Sequence, residues 1–112
     1  VVDELAQIGL QDDARFAREW TRARVARLNG PLKVRRELRE KGVATSTVEA
    51  VVEEAYGGGR ERDLATRAAR KHSPALRGRA PEGRARTMYS YLVRRGFTPA
   101  LASELAREEM HR

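Results

Sequence analysis

Two stretches 54 residues apart, Leu38-Arg39-Glu40-Lys41-Gly42-Val43 and Leu92-Val93-Arg94-Arg95-Gly96-Phe97, follow one pattern, and Val51 lines up with Leu105 at the same offset. In a chain of 112 residues such a recurrence leaves room for little else, so the fold has to be a small unit used more than once. Apolar residues within each copy recur at helical period, and no stretch alternates apolar and polar residues as a half-buried strand would. The fold class that follows is all-α, built of tandem three-helix repeats.

Punctuation along the chain sets the expected elements. Val2, Leu5 and Ile8 form one stripe that Gly9 is expected to stop, after which Asp12 and Asp13 read as N-cap residues of a helix running to about Leu28. Phe16, Trp20 and Ala23 share a face of that helix, with Arg15, Arg18 and Arg22 pointing away. Asn29-Gly30-Pro31 breaks it. A helix from about Leu32 to Lys41 follows, turning Val34 and Leu38 inward and capped by Gly42. The next carries Val48, Val51, Val52 and Ala55, with Ser46 and Glu49 at capping-box spacing and a start up to two residues earlier.

After Tyr56, Gly57-Gly58-Gly59 reads as a joint, since three glycines are costly to order. The pattern then repeats through Leu64, Ala65 and Ala68, through Ala85, Met88 and Leu92, and through Leu101, Ala102 and Leu105, with Thr98 and Pro99 opening the last helix. Between them the connection from His72 to Gly83, with Pro74, Gly78 and Pro81, is read as mobile. The expected organisation is the last helix of an incomplete first repeat at 1–10, a second repeat at 12–56, a glycine hinge at 57–61 and a third repeat at 62–112.

Several function classes fall away on composition. The chain has no cysteine, which excludes a disulfide scaffold, a thiolate metal site and a cysteine nucleophile together. No apolar run approaches the roughly 20 residues that cross a bilayer, and a cytoplasmic protein without membrane contact is expected. His72 and His111 lie far apart and read as solvent-exposed. Gly57-Gly58-Gly59 lacks the lysine and hydroxyl residue of a phosphate loop, and Ser73, Ser90 and Ser103 have no activating neighbours. No enzyme, no cofactor and no metal site are expected.

What remains is charge. The net charge is +7, and it is segregated: residues 14–41 and 60–95 are strongly basic while the rest is acidic. Segregation of this kind presents positive surfaces to a polyanion or an acidic protein face. Arg24 and Arg27 fall within the apolar arc of their helix, either covering the core edge with their stems or binding a partner. Lys33, Arg35, Arg36 and Arg39 form a dense patch on one short helix, and Arg84, Arg86, Arg94 and Arg95 are its expected equivalent in the second copy. Arginine forks match phosphate or carboxylate oxygens, and repeated basic faces suit a repeating polymer. Tyr89 and Tyr91 could stack on bases or pack on the core.

These residues also carry a resemblance. Asp12-Asp13-Ala14-Arg15-Phe16-Ala17, Arg24, and Gly30-Pro31-Leu32-Lys33-Val34-Arg35-Arg36-Glu37-Leu38-Arg39-Glu40-Lys41-Gly42-Val43 look like the signature of the RecX family of recombination regulators. Leu92-Val93-Arg94-Arg95-Gly96-Phe97 resembles that family's later-repeat motif. The resemblance implies an elongated, curved array of three-helix repeats, here without the first two helices of the first repeat. It also implies a non-catalytic, monomeric regulator that lies on the RecA filament and its single-stranded DNA and restrains ATP hydrolysis and strand exchange in recombination, DNA repair and the SOS response. Arg24, Lys33, Arg35, Arg36, Arg94 and Arg95 are the contacts it suggests. Lys33 stands where the family usually has arginine.

Two other classes stay open on residues alone. One is a direct DNA-binding helical module acting without a recombinase, as three-helix units with a basic helix can enter a major groove. The other is a helical adaptor whose arginines only solubilise it.

Overall fold

The computed structural model describes the backbone of residues 2–112 and the side chains of residues 12–112. It holds six α-helices: α1 (Val2–Ala26), α2 (Pro31–Glu40), α3 (Thr45–Tyr56), α4 (Arg60–His72), α5 (Pro81–Arg94) and α6 (Pro99–Met110), with a 3-10 turn at Ser73–Leu76. The last half of α1 packs with α2 and α3 as one three-helix unit, and α4 packs with α5 and α6 as a second. The result is elongated, 64 × 24 × 20 Å.

The sequence recurrence is a recurrence of burial. Val34 and Met88, Leu38 and Leu92, Val43 and Phe97, Val48 and Ala102, Val51 and Leu105, and Val52 and Ala106 are each 54 positions apart, and all are buried. Both copies end their second helix alike. Val43 N–H donates to Leu38 O (3.0 Å) and Gly42 N–H to Arg39 O (3.0 Å); Phe97 N–H donates to Leu92 O (3.1 Å) and Gly96 N–H to Val93 O (3.0 Å). This double closure needs a left-handed residue just past the helix, which Gly42 (φ 82°) and Gly96 (φ 97°) supply without steric cost.

Four expectations are corrected. The helix does not stop at Gly9, nor restart at Asp12 and Asp13: α1 is continuous, because one interior glycine costs only about 1 kcal/mol against alanine and good helix formers flank it. Asp12 instead pairs with Arg15 one turn on (3.2 Å). The inward stripe of Val2, Leu5 and Ile8, and with it the assignment of 1–10 to a preceding repeat, lies outside the described side chains. At its other end α1 stops at Ala26, two residues before Leu28, which takes a left-handed conformation (φ 59°) uncommon for a branched residue. Third, Ser46 and Glu49 make no capping box: α3 takes the earlier of the expected starts, at Thr45 after Ala44, with no side-chain cap.

Fourth, the connection from His72 to Gly83 is built rather than open. Ser73–Leu76 forms the 3-10 turn, Leu76 is buried in the core, and α5 starts at Pro81. The Ser73 hydroxyl donates to Glu109 Oε1 (2.7 Å), tying the turn to the end of α6. An apolar anchor and a buried polar tie fix a segment whose proline and glycine content alone suggests freedom.

The two units meet at a turn-on-turn joint. Gly30 N–H donates to Arg95 O (2.7 Å) and Leu32 N–H to Gly96 O (2.9 Å), so the elbow between α1 and α2 sits on the end of α5. Tyr56 closes the joint from α3, its hydroxyl donating to Asn29 O (2.7 Å). Burial raises the Tyr56 hydroxyl pKa well above its ordinary value, with Glu61 and Glu37 adding to the shift, and keeps it a donor. The three glycines themselves make a hydrogen-bonded turn, with Gly57 N–H on Glu53 O and Arg60 N–H on Gly57 O.

Candidate polyanion interface

The basic residues singled out on the sequence divide by what holds them. Arg24 reaches across from α1 to α2, where its Nε donates to Glu37 Oε1 (2.8 Å) and its guanidinium lies 4.7 Å from the Trp20 ring centroid. Trp20 Nε1 donates to the same oxygen (3.1 Å), and Lys41 Nζ lies 4.4 Å from the ring centroid. Burial pushes the Glu37 carboxyl up, but hydrogen bonds from Arg24 and Trp20 and the charges of Arg24 and Lys33 outweigh it and hold the group below its ordinary value. Arg24 is thus a structural cation whose charge is already matched.

On α2 the patch is partly neutralised from α3. Arg35 grips Glu49 with two nitrogens (3.1 and 3.2 Å), and Arg39 Nη2 reaches the same carboxylate (3.5 Å). Glu49 does its work here rather than at a helix start. Arg36, exposed, lies 4.0 Å from Glu40 Oε1, a surface pair of little strength. One carboxylate shared between two arginines leaves α2 with a net positive face.

The expected second patch does not assemble as one. Arg84 turns to the end of α6, donating to Glu109 O, Met110 O and Arg112 O, and to Arg79 O (2.7 Å). Such a guanidinium satisfies helix-end carbonyls and has few donors left for a ligand. Arg86 and Arg94 are exposed. Arg95 crosses the joint: its Nε donates to Leu28 O (3.0 Å), Nη2 donates to Arg27 O, and its guanidinium lies 5.5 Å from the Tyr91 ring centroid.

That crossing creates a groove. Ala26, Arg27, Leu28, Lys71, His72, Tyr91 and Arg95 line a cleft of about 560 Å³ between the two units, and none of them is acidic. His72 is half-buried rather than solvent-exposed: its ring stacks on Tyr91 at 3.8 Å between centroids and 3° between planes. Burial first, then the charges of Arg94, Arg79 and Arg95, lower the His72 pKa against a smaller opposing pull from Glu109. Burial, with these cations adding to it, favours the neutral ring. An anion entering the cleft meets Arg27, Lys71 and Arg95, beside a stacked aromatic pair on which a base could lie. Lys33 flanks the same joint, its Cβ against Gly96.

Of the residues lining this cleft, the sequence singles out Arg27 and Arg95 as basic candidates and Tyr91 as a ring that could stack on a base, but not Lys71 or His72. The available signal was the repeat itself: Tyr91 stands at the position of Glu37, so the second unit has an aromatic ring where the first has a carboxylate. Among the described residues there is no cluster of metal-ligating side chains and no helix long and apolar enough to cross a membrane.

The model of the second three-helix domain of RecX matches residues 12–52. A regulatory protein RecX of Thermobifida fusca is 37% identical over 114 residues, covering 98% of this chain and 60% of its own. One from Halorhodospira halophila is 35% identical over 100 residues (88% of this chain, 59% of the relative), and one from Prosthecochloris aestuarii is 39% identical over 101 (87% and 62%). The chain spans about three fifths of the length of these curated relatives. No solved structure matches it. With the family's second three-helix domain falling on the first unit, and the relatives' similarity running on through the second, the chain belongs to the RecX family of regulatory proteins.

Proposed function

We propose that this chain binds the RecA–DNA nucleoprotein filament and limits its ATP hydrolysis and strand exchange, as a monomer in the cytoplasm and without catalysis of its own. Two three-helix repeats, 12–56 and 62–112, joined at 57–61, form the binding array. The observation that carries the reading is the acid-free groove at the joint, where Arg27, Lys71 and Arg95 surround the His72–Tyr91 stack. Lys33, beside Gly96, and Arg94, whose charge acts on His72, add to its positive field, and Arg36, Arg39 and Arg86 are further exposed cations. Family membership supports a regulatory rather than a catalytic role.

The test is a titration into preassembled RecA filaments on single-stranded DNA, following ATP hydrolysis, with binding to naked DNA measured in parallel. Inhibition at concentrations below those that bind naked DNA is expected. DNA binding with no effect on the filament would overturn the reading in favour of a DNA-binding module.

A further inference from the structure

A second groove, on the α1–α3 face, has a different chemistry. Along α1 and α3, Thr21, Val25, Ala26, Val51 and Ala55 floor a cleft of about 370 Å³ whose rim carries Arg18, Arg22 and Arg60. It continues past Arg18, Val51 and Glu54 into a second hollow of about 340 Å³ bounded by Ala14, Ser46, Thr47 and Ala50. From Ala14 to Ala26 the trough follows α1 for thirteen residues, about 18 Å, or some three helical turns.

Its floor is made of small or β-branched apolar side chains, which let another backbone come close. The one polar group there, the Thr21 hydroxyl, is satisfied by Ala17 O (2.7 Å). The rim is unspent charge: Arg18 and Arg22 have no acidic partner among the described residues, and Arg60 donates only to Gly57 O. A polyphosphate fits poorly, because the floor is apolar and Glu54 stands in the opposite wall.

We propose that the α1–α3 groove docks an acidic amphipathic helix of a protein partner. Its small apolar side chains lie on Val25, Val51 and Ala55, and its carboxylates meet Arg18, Arg22 and Arg60. The pairing is oriented: carboxylates belong on the α1 and α4 side, and a neutral or basic residue faces Glu54. This groove shares Ala26 with the one at the joint but none of its basic residues.

The test uses a fluorescein-labelled peptide of about 14 residues, with glutamates on one helical stripe and alanine and leucine on the other, followed by anisotropy at low salt. Saturable binding is expected, weakened about tenfold by the pair Arg18→Ser and Arg22→Ser. Binding should be lost in Ala50→Trp, which fills the groove from an exposed position while leaving the melting curve unchanged. Equal binding of a scrambled peptide, indifference to these substitutions, or self-association of the chain through this face would overturn the proposal. So would loss of oligonucleotide binding in place of peptide binding.

Discussion

Gly30 and Gly96 lie against each other so closely that a Cβ on Gly30 would come within 2.5 Å of the carbonyl carbon and oxygen of Gly96. A Cβ on Gly96 would in turn lie 2.5 Å from the Lys33 Cβ. Real side chains are never that near, so the joint between units tolerates nothing larger than hydrogen at either position. Gly30→Ala is expected to cost about 1–3 kcal/mol by overpacking. Gly96→Ala should cost at least as much, since it adds the left-handed strain of about 1–2 kcal/mol. Urea unfolding of both variants, with Gly42→Ala as the control where nothing surrounds the Cβ and only the strain remains, checks the difference.

Tyr56 tests the same joint from α3. Tyr56→Phe keeps the ring in the core but leaves Asn29 O without its donor, at an expected cost of about 1–3 kcal/mol. Thermal unfolding should register the loss, while polyanion binding of the folded variant stays unchanged.

Glu37 sets an acid limit on the first unit. Its folded pKa is below the ordinary 4.5, so its contribution is complete above that value and is lost as pH falls through the folded pKa. Trp20 is the sole tryptophan and shares the Glu37 oxygen with Arg24, so its fluorescence reports the event. Glu37→Gln should flatten the dependence of stability on pH below 4.5 and lower stability at neutral pH.

His72 gives a pH signature with two signs. Its folded pKa lies below 6.5, so the unfolded chain takes up the proton first and stability declines as pH falls below 6.5. An anion in the groove raises that pKa, so binding strengthens over the same interval. His72→Phe preserves a ring on Tyr91 and should abolish both dependences, read by unfolding and by binding titrations between pH 5.5 and 7.5.

The arginines should sort by role. Arg27→Ala and Lys71→Ala are expected to weaken filament or oligonucleotide binding and to reduce the slope of log affinity against log salt by roughly 0.7 to 0.9 for each phosphate contact removed. Arg84→Ala should instead loosen the end of α6, seen as faster amide exchange near Met110. Arg36→Glu reverses an exposed charge cleanly. Arg35→Glu sets a second carboxylate against Glu49 and should destabilise the fold, so binding loss in that variant alone says little about the interface.

The sequence made the helices and their pairing legible because short-range chemistry writes them. Pro31 and Pro99 open helices, Gly42 and Gly96 close them, and burial repeats at one offset. Gly9 misled because a single glycine carries too little free energy to end a helix of good formers. Glu49 misled because its spacing from Ser46 suits a cap, while two arginines fourteen and ten residues away offered more. The groove at the joint was legible only in pieces. Arg95 meets Leu28 and Arg27 across 67 and 68 residues, and His72 meets Tyr91 across nineteen, distances over which periodicity carries no information.

The joint between units is sewn onto main-chain carbonyls, groups every amino acid brings, with two amides and the Arg95 guanidinium as the donors. Its alignment therefore leans on few side chains, Arg95 and Tyr56 foremost, provided two hydrogens stay where they are. Lineages can rewrite the charges facing outward, and retune what the array grips, without disturbing the angle at which one unit is carried on the next.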